Sequence, residues 1–306
     1  MGMGAYIIRR IAQAFVVIVG VSVAVFFLIR LTGDPTDQML AQGVSPENIA
    51  SIRREMGLDL PIYLQYKQFI INALHGDFGT SISHKQPVIK LVVERLPATF
   101  QLTIVALLWA ALIGIPAGVI SAVRRHSPID SITRSLAFVG QCMPVFWLGL
   151  LLILIFGVKL QLLPIYGSGT FRHLIMPAVT LGTYSVATIT RLSRSSLLDV
   201  LGEDYIRTAK AKGLSKYAVL TGHALRNSLI PTITIVGLQF GTTLAGAVVT
   251  ETVFSWPGLG RLVIQAVQAR DYTLIQGALI IIAFMMVMVN LLIDITCALV
   301  DPRIRY

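Results

Sequence analysis

The sequence predicts an all-α fold: a polytopic membrane helix bundle with six transmembrane helices and a small external helical insertion. Three observations predict it. The 306 residues are 55% hydrophobic and only 13% charged, with a mean hydropathy of +0.76, whereas a soluble domain is about 25% charged. Six stretches reach the roughly 20 mostly apolar residues that a spanning helix needs: Ile11–Leu31, Thr99–Val123, Leu136–Val158, Leu174–Leu192, Leu229–Val253 and Leu274–Leu299. The Lys and Arg residues gather in short segments between those runs, where they set orientation in a membrane. This also accounts for the formal net charge of +10 and the pI near 9.9 without nucleic acid as a partner.

The first run follows Arg9 and Arg10. It exceeds the 7–15-residue apolar core of a signal peptide and no small-x-small cleavage site follows, so residues 1–31 read as the N-terminus and a retained first span. Residues 32–97 form the external insertion. Within it, Ser45 and Pro46 read as an N-cap followed by proline at the first helical position, with Gly57 as a stop. From Pro61, the positions Ile62, Tyr66, Phe69, Ile70 and Ala73 form one apolar face at helical spacing, ended by Gly76. Two short helices are expected, with that face packed on the spans or offered to a partner. Residues 98–306 hold the other five spans. Prolines 116, 144, 177 and 231 fall within or near the starts of spans, where neighbouring helices satisfy the freed backbone groups.

Arg9 and Arg10, the Arg124–Arg134 segment, the Arg191–Arg226 segment and Arg303 with Arg305 carry positive charge on one side of the six-span arrangement. That side is the cytoplasm, so both termini are expected there. Cys142 and Cys297 lie in apolar runs and match no ligand or redox spacing.

The segment between spans four and five, residues 193–228, reads helix, turn, helix. Ala209, Ala211 and the straight-chain Lys and Arg residues favour helix. Gly213 supplies the positive φ of a sharp stop, and Ser215 caps a second short helix. Such a hairpin admits a partner's surface at its bend; a solvated loop that only sets topology has the same composition. In span five, Gln239, Thr242, Thr243, Gly246 and Thr250 fall on one helical stripe. A polar stripe in a span faces protein or water, so it lines a translocation path or packs on another span, as Gly237-Leu238-Gln239-Phe240-Gly241 also suggests. Glu251, at the outer end of that span, is the gate candidate, with a satisfied structural carboxylate as the alternative. Asp294, in span six, sits within about two helical turns of Arg303, which suggests pairing near the cytoplasmic surface.

No phosphate-binding loop of the form G-x-x-x-x-G-K-[ST] is present, nor H-E-x-x-H or G-x-S-x-G, and the five histidines are scattered. No catalytic residue and no metal site is therefore expected, and energy must come from a partner. A secondary transporter driven by an ion gradient is the alternative; it calls for mid-span acids or broken helices in matching halves.

Ala209 and Gly213, four apart and followed by a helix leading to Leu229-Ile230-Pro231, resemble the EAA loop of permeases in binding-protein-dependent ATP-binding-cassette importers. Arg207 and Thr208 stand where Glu and Ala are usual, and Arg226 where proline is frequent; this variant resembles the dipeptide and oligopeptide branch. Five more stretches are similar to the first of that branch's two paired permeases: Leu31-Thr32-Gly33-Asp34-Pro35, Gly57-Leu58-Asp59-Leu60-Pro61, Gly76-Asp77-Phe78-Gly79, Trp256-Pro257-Gly258-Leu259-Gly260-Arg261 and the terminal Asp301-Pro302-Arg303-Ile304-Arg305-Tyr306.

The resemblance implies a chain in the bacterial cytoplasmic membrane, paired with a second, homologous permease. It also implies two ATPase subunits that use ATP and Mg, and an extracytoplasmic binding protein meeting the external insertion. It makes Glu203, Asp204, Tyr205, Arg207, Thr208, Ala209, Lys210, Ala211, Lys212 and Gly213 the ATPase-coupling residues. Substrates of such permeases are dipeptides, oligopeptides, glutathione, nickel complexes or opines.

Overall fold

The computed structural model describes residues 3–33, 45, 51, 53 and 58–300. The predicted helix from Pro46 to Gly57, apart from Ser51 and Arg53, and the terminal residues 301–306, Arg303 included, lie outside them. Among the described residues the chain is helical apart from turns and one isolated antiparallel bridge between Thr80 and Pro87.

Long apolar runs become long helices because a helix satisfies every backbone group internally. Helix α1 is Met3–Thr32, α2 Ile62–Leu74 and α3 Val88–Val123. Next come α4, Pro128–Cys142, and α5, Val145–Leu152, which runs on as a π-helical segment, Ile153–Lys159. Helix α6 is Phe171–Leu201, and α7 is Asp204–Ala211. A short α8, Lys216–Ala218, passes through a π-helical turn, Val219–Ala224, into α9, Leu225–Val253. Helices α10, Leu259–Gln268, and α11, Tyr272–Val300, complete the order.

Six straight apolar spans are not what these helices provide. Four are long and apolar enough to cross a membrane: Ile8–Leu31, Val88–Val123, Lys216–Val253 and Tyr272–Thr296. A fifth exists if α4 and α5 with its continuation make one broken span, for they meet at a bend of 104°. The predicted span Leu136–Val158 is therefore interrupted. Pro144 lacks an N–H and forces the preceding residue out of the helical region, and Met143 is extended at φ −76°, ψ 125°. The predicted span Leu174–Leu192 lies inside the 31-residue α6. It is not among the helices apolar enough to count as spans on composition, and it buries polar residues, among them Thr180, Ser185 and Thr190. Helix α3 also starts earlier than span two, so residues 88–97 of the insertion are its first turns.

The chain divides into two compact units, Met1–Ala98 with Pro257–Leu291 and Thr99–Trp256 with Leu292–Arg305. In the first, Val88, Leu91 and Val92 of α3 pack with Leu259, Leu262 and Ala266 of α10 and with Leu274, Ala278 and Ile281 of α11. The apolar face expected on α2 meets α1: Tyr66 and Phe69 stack on the fully buried Phe26, with ring centroids 5.2 and 6.0 Å away. The Tyr66 hydroxyl lies 2.8 Å from Ser22 Oγ.

In the second unit, α3 approaches α6 at glycines. A Cβ at Gly118 would stand 2.6 Å from both Ser193 Cβ and the Thr190 carbonyl oxygen, and one at Gly182 2.6 Å from the Ala106 carbonyl oxygen. Only hydrogen fits there, the close-packing device of membrane helices. Helix α9 packs along α6 as well, with Ser185 and Thr243 hydroxyls 3.3 Å apart.

Candidate functional site

The hairpin predicted between spans four and five is present, capped at its bend and packed on its inner side. Helix α7 starts after Glu203 and ends at Ala211, with Lys212 as its C-cap, and Gly213 takes φ +80°. Its N–H donates to the Lys210 carbonyl at 3.0 Å, and Leu214 N–H to the Ala209 carbonyl at 3.4 Å, closing the helix C-terminus as a left-handed cap does. Ser215 Oγ then accepts the Ala218 N–H at 3.2 Å, capping α8. Asn227 Nδ2 donates to the Tyr205 hydroxyl at 2.8 Å, tying α7 to α9.

The underside of this hairpin is apolar and buried. Ile206 and Ala209 pack with Ala122 of α3, Leu197 of α6, and Val219 and Ala224 of the π-helical turn. Ala209 is thus small where the hairpin packs on its own supports. The outward side carries Asp204 and, one turn on, Arg207 and Thr208, then Lys210, Ala211, Lys212 and Gly213, all exposed. Asp204 and Arg207 pair at 3.4 Å, fully in solvent. Tyr205, Leu214 and Tyr217 are exposed beside the lysines, with Tyr217 at 76%.

One carboxylate beside the hairpin's supports was not singled out from the sequence. Asp130, in the first turn of α4, is wholly buried. Arg194 of α6 donates to it from Nε at 2.8 Å and Nη2 at 3.0 Å, Ser121 Oγ of α3 at 2.6 Å, and the His126 N–H at 3.1 Å. Arg134 stands 3.4 Å away. Three helices are pinned at one anion. A signal for it exists in the capping pattern Ser127-Pro128-Ile129-Asp130, where Ser127 Oγ accepts the Asp130 N–H at 3.3 Å.

The stripe on α9 divides. Gln239, Thr243 and Thr250 are buried, while Thr242 and Gly246 are exposed. Thr243 faces Ser185 of α6, and Thr242 Oγ1 donates to Gln239 Oε1 at 3.1 Å. Gln239 Nε2 and Thr250 Oγ1 are buried with no hydrogen-bond partner among the described residues. The gate candidate Glu251 is wholly buried and accepts the Thr99 hydroxyl at 2.6 Å, and its carbonyl accepts the Trp256 N–H at 2.8 Å. That is the geometry of a satisfied structural carboxylate.

In the first unit, Asp271 caps α11. Its Oδ1 accepts the Leu274 N–H at 3.0 Å; its Oδ2 accepts the hydroxyls of Ser81 and Ser83, both at 2.6 Å, and the Ser83 N–H at 2.9 Å. His84 Nδ1 lies 3.1 Å from Ser83 Oγ. Although Ser, His and Asp meet here, both hydroxyls give their protons to the carboxylate, so neither serine is prepared as a nucleophile. Burial pushes the Asp271 carboxyl up, but the hydrogen bonds from Ser81, Ser83 and Leu274 outweigh it and hold it below the usual carboxylate range.

Two family models cover nearly the whole chain. The binding-protein-dependent transport system inner membrane component matches residues 114–306, and its N-terminal counterpart residues 3–103. The chain belongs to this permease family. Among relatives, the dipeptide transport system permease protein DppB of Escherichia coli (strain K12) is 42% identical, with 98% of each chain covered. The glutathione transport system permease protein GsiC of the same strain is 41% identical over 98% of this chain and 99% of that one.

Solved permeases share the fold. An inward-facing MetNI methionine ABC transporter matches at a TM-score of 0.60 and 18% identity, covering 70% of this chain and 97% of that one. An amino acid ABC transporter with histidines matches at 0.52 and 19%, covering 70% and 94%. The family models and the relatives at 42% and 41% identity, not these distant structures, make the chain a transmembrane permease subunit of a binding-protein-dependent transport system.

Proposed function

We propose that this permease and a second, homologous one form the translocation path of an ATP-driven importer for short peptides, glutathione included. Two ATPase subunits supply the hydrolysis, using ATP and Mg, and the chain itself catalyses nothing. An extracytoplasmic binding protein delivers substrate to the insertion, residues 32–97. Both termini and the Glu203–Gly213 hairpin are cytoplasmic.

The observation that carries this reading is the hairpin. A projection transmits force only if its bend is fixed and its base anchored, and here Gly213 fixes the bend while Ile206 and Ala209 anchor the base. The exposed Tyr205 and Tyr217 with Arg207 are of the residue types enriched in protein-binding surfaces. The dipeptide and glutathione permeases above share one substrate chemistry, a short zwitterionic peptide.

The test is reconstitution of the complete complex in proteoliposomes with its binding protein. Uptake of radiolabelled dialanine or glutathione should require ATP and Mg and ignore a protonophore. Uptake driven by an ion gradient without ATP would overturn the proposal.

A further inference from the structure

The two helices that seat the hairpin, α3 and α6, meet along a seam of glycines. A Cβ at Gly114 would stand 3.0 Å from the Val186 carbonyl oxygen, and one at Gly118 2.6 Å from Ser193 Cβ and 3.0 Å from the Arg194 backbone nitrogen. Glycines let helices approach closely, but they offer no side-chain ridge to the partner's groove, and ridges in grooves are what lock one helix against another. The seam fixes separation and leaves rotation weakly held. One turn beyond Gly118, Ala122 of α3 and Leu197 of α6 receive Ile206 and Ala209 from the hairpin's underside. A slip at the seam therefore tilts the hairpin.

Asp130 closes that end of the seam. Its carboxylate accepts Ser121 Oγ, next to Ala122 in the chain, and two nitrogens of Arg194, which lies one turn before Leu197. Each residue that seats the hairpin is thus within a turn of a residue held by the same anion. The carboxylate also accepts the His126 N–H, which keeps the α3–α4 turn closed with His126 at φ +63°. Exchanging a buried ion pair for well-packed apolar residues is often neutral in stability, so the role that the geometry leaves to this pair is orientation. Resting on the coupling role proposed above for the hairpin, we infer that Asp130 is a positioning residue for ATP-driven transport. Through Ser121 and Arg194 it holds α3 and α6 in the relation at which the hairpin fits the ATPase subunit. Being wholly buried, it acts only through the hairpin and not by touching that partner.

A partner that binds one pose of the hairpin has its apparent Kd raised by the inverse of the fraction of chains in that pose. Loosening the clamp should therefore weaken ATPase association while the complex stays folded, whereas loss of a merely stabilising residue lowers the amount of complex at an unchanged Kd. The experiment dilutes the complete complex in lipid nanodiscs in steps and counts the ATPase subunits still bound at each. Asp130→Asn keeps an acceptor for Ser121 and His126 but loses the charge that Arg194 grips. Its dilution midpoint should rise about tenfold, with full occupancy kept at high concentration, as for a correctly posed fraction of about one tenth. Ser121→Ala, which leaves the ion pair intact, should raise it about threefold and carries the test if Asp130→Asn does not assemble. A wild-type midpoint, or a lower plateau at an unchanged midpoint, overturns the positioning role. Gly213→Val separates the two readings. An effect of Gly213→Val with none from Asp130→Asn or Ser121→Ala removes Asp130 alone. A Gly213→Val complex with unchanged midpoint and unchanged ATP hydrolysed per peptide imported removes the hairpin reading, and this one with it.

Discussion

Arg194 grips Asp130 with two nitrogens, Nε at 2.8 Å and Nη2 at 3.0 Å, across 64 residues of sequence. Breaking a buried pair from one side leaves the other charge uncompensated, at about 3–5 kcal/mol. Arg194→Met and Asp130→Leu should each destabilise the complex on that scale, whereas the double variant should cost clearly less than their sum. Thermal unfolding of the four purified complexes checks this, and simple additivity would show that the pair is not a unit.

Gly213 has open space around it, since a Cβ there meets nothing within 4 Å. Its requirement is conformational, through φ +80°. Gly213→Val should therefore cost about 1–3 kcal/mol locally or reshape the tip, and Gly213→Asn, which tolerates the left-handed region, much less. The expected phenotype of Gly213→Val is weakened ATPase association or hydrolysis uncoupled from uptake, with membrane insertion intact. ATP hydrolysed per peptide imported is the quantity to measure; an unchanged ratio would return the hairpin to a loop that only sets topology.

Asp271 lies before the span of α11, and its folded pKa is lower than that of the unfolded chain. Its contribution is thus complete above the unfolded carboxylate value, near 4, and is lost as pH falls through the folded pKa. Stability of the wild-type complex should drop on that acid limb. Asp271→Asn, which should cost about 1.5–3 kcal/mol at neutral pH, should show a shallower drop. Parallel acid limbs in the two proteins would assign the acid sensitivity elsewhere.

Cysteines placed singly on α9, in a background without Cys142 and Cys297, should divide as the stripe does. Positions 242 and 246 should react with a water-soluble thiol reagent about tenfold faster than 239 and 243, because reactivity follows exposure. A rate that changes with nucleotide state marks the path. Uniformly inert positions would mean that this stripe is packing.

What sequence reading recovered was local. Gly213, the Ser215 cap and the apolar face of α2 each depend on residues within a few positions, and all are present as expected. What it missed was long-range or a matter of competing terms. Asp271 finds Ser81 and Ser83 across about 190 residues, and only its place before an apolar run marked it as a cap. Hydropathy alone made Leu136–Val158 a span, but the backbone restriction at Met143-Pro144 prevailed. The same measure read Leu174–Leu192 as a span but did not show that Thr180, Ser185 and Thr190 of α6 would be buried.

The π-helical turn Val219–Ala224 sets the bookkeeping of helix faces in this protein. Such a turn holds a residue in excess of the α-helical register, and each residue is worth about 100° of rotation. A helical wheel drawn continuously from Lys216 to Val253 therefore points the α9 stripe about a quarter-turn or more away from its true azimuth relative to the hairpin. Deleting one residue between positions 219 and 224 would leave every side chain of α9 chemically unchanged while swinging the tip of α8 around the rod, so this short stretch tolerates substitution far better than a change in length.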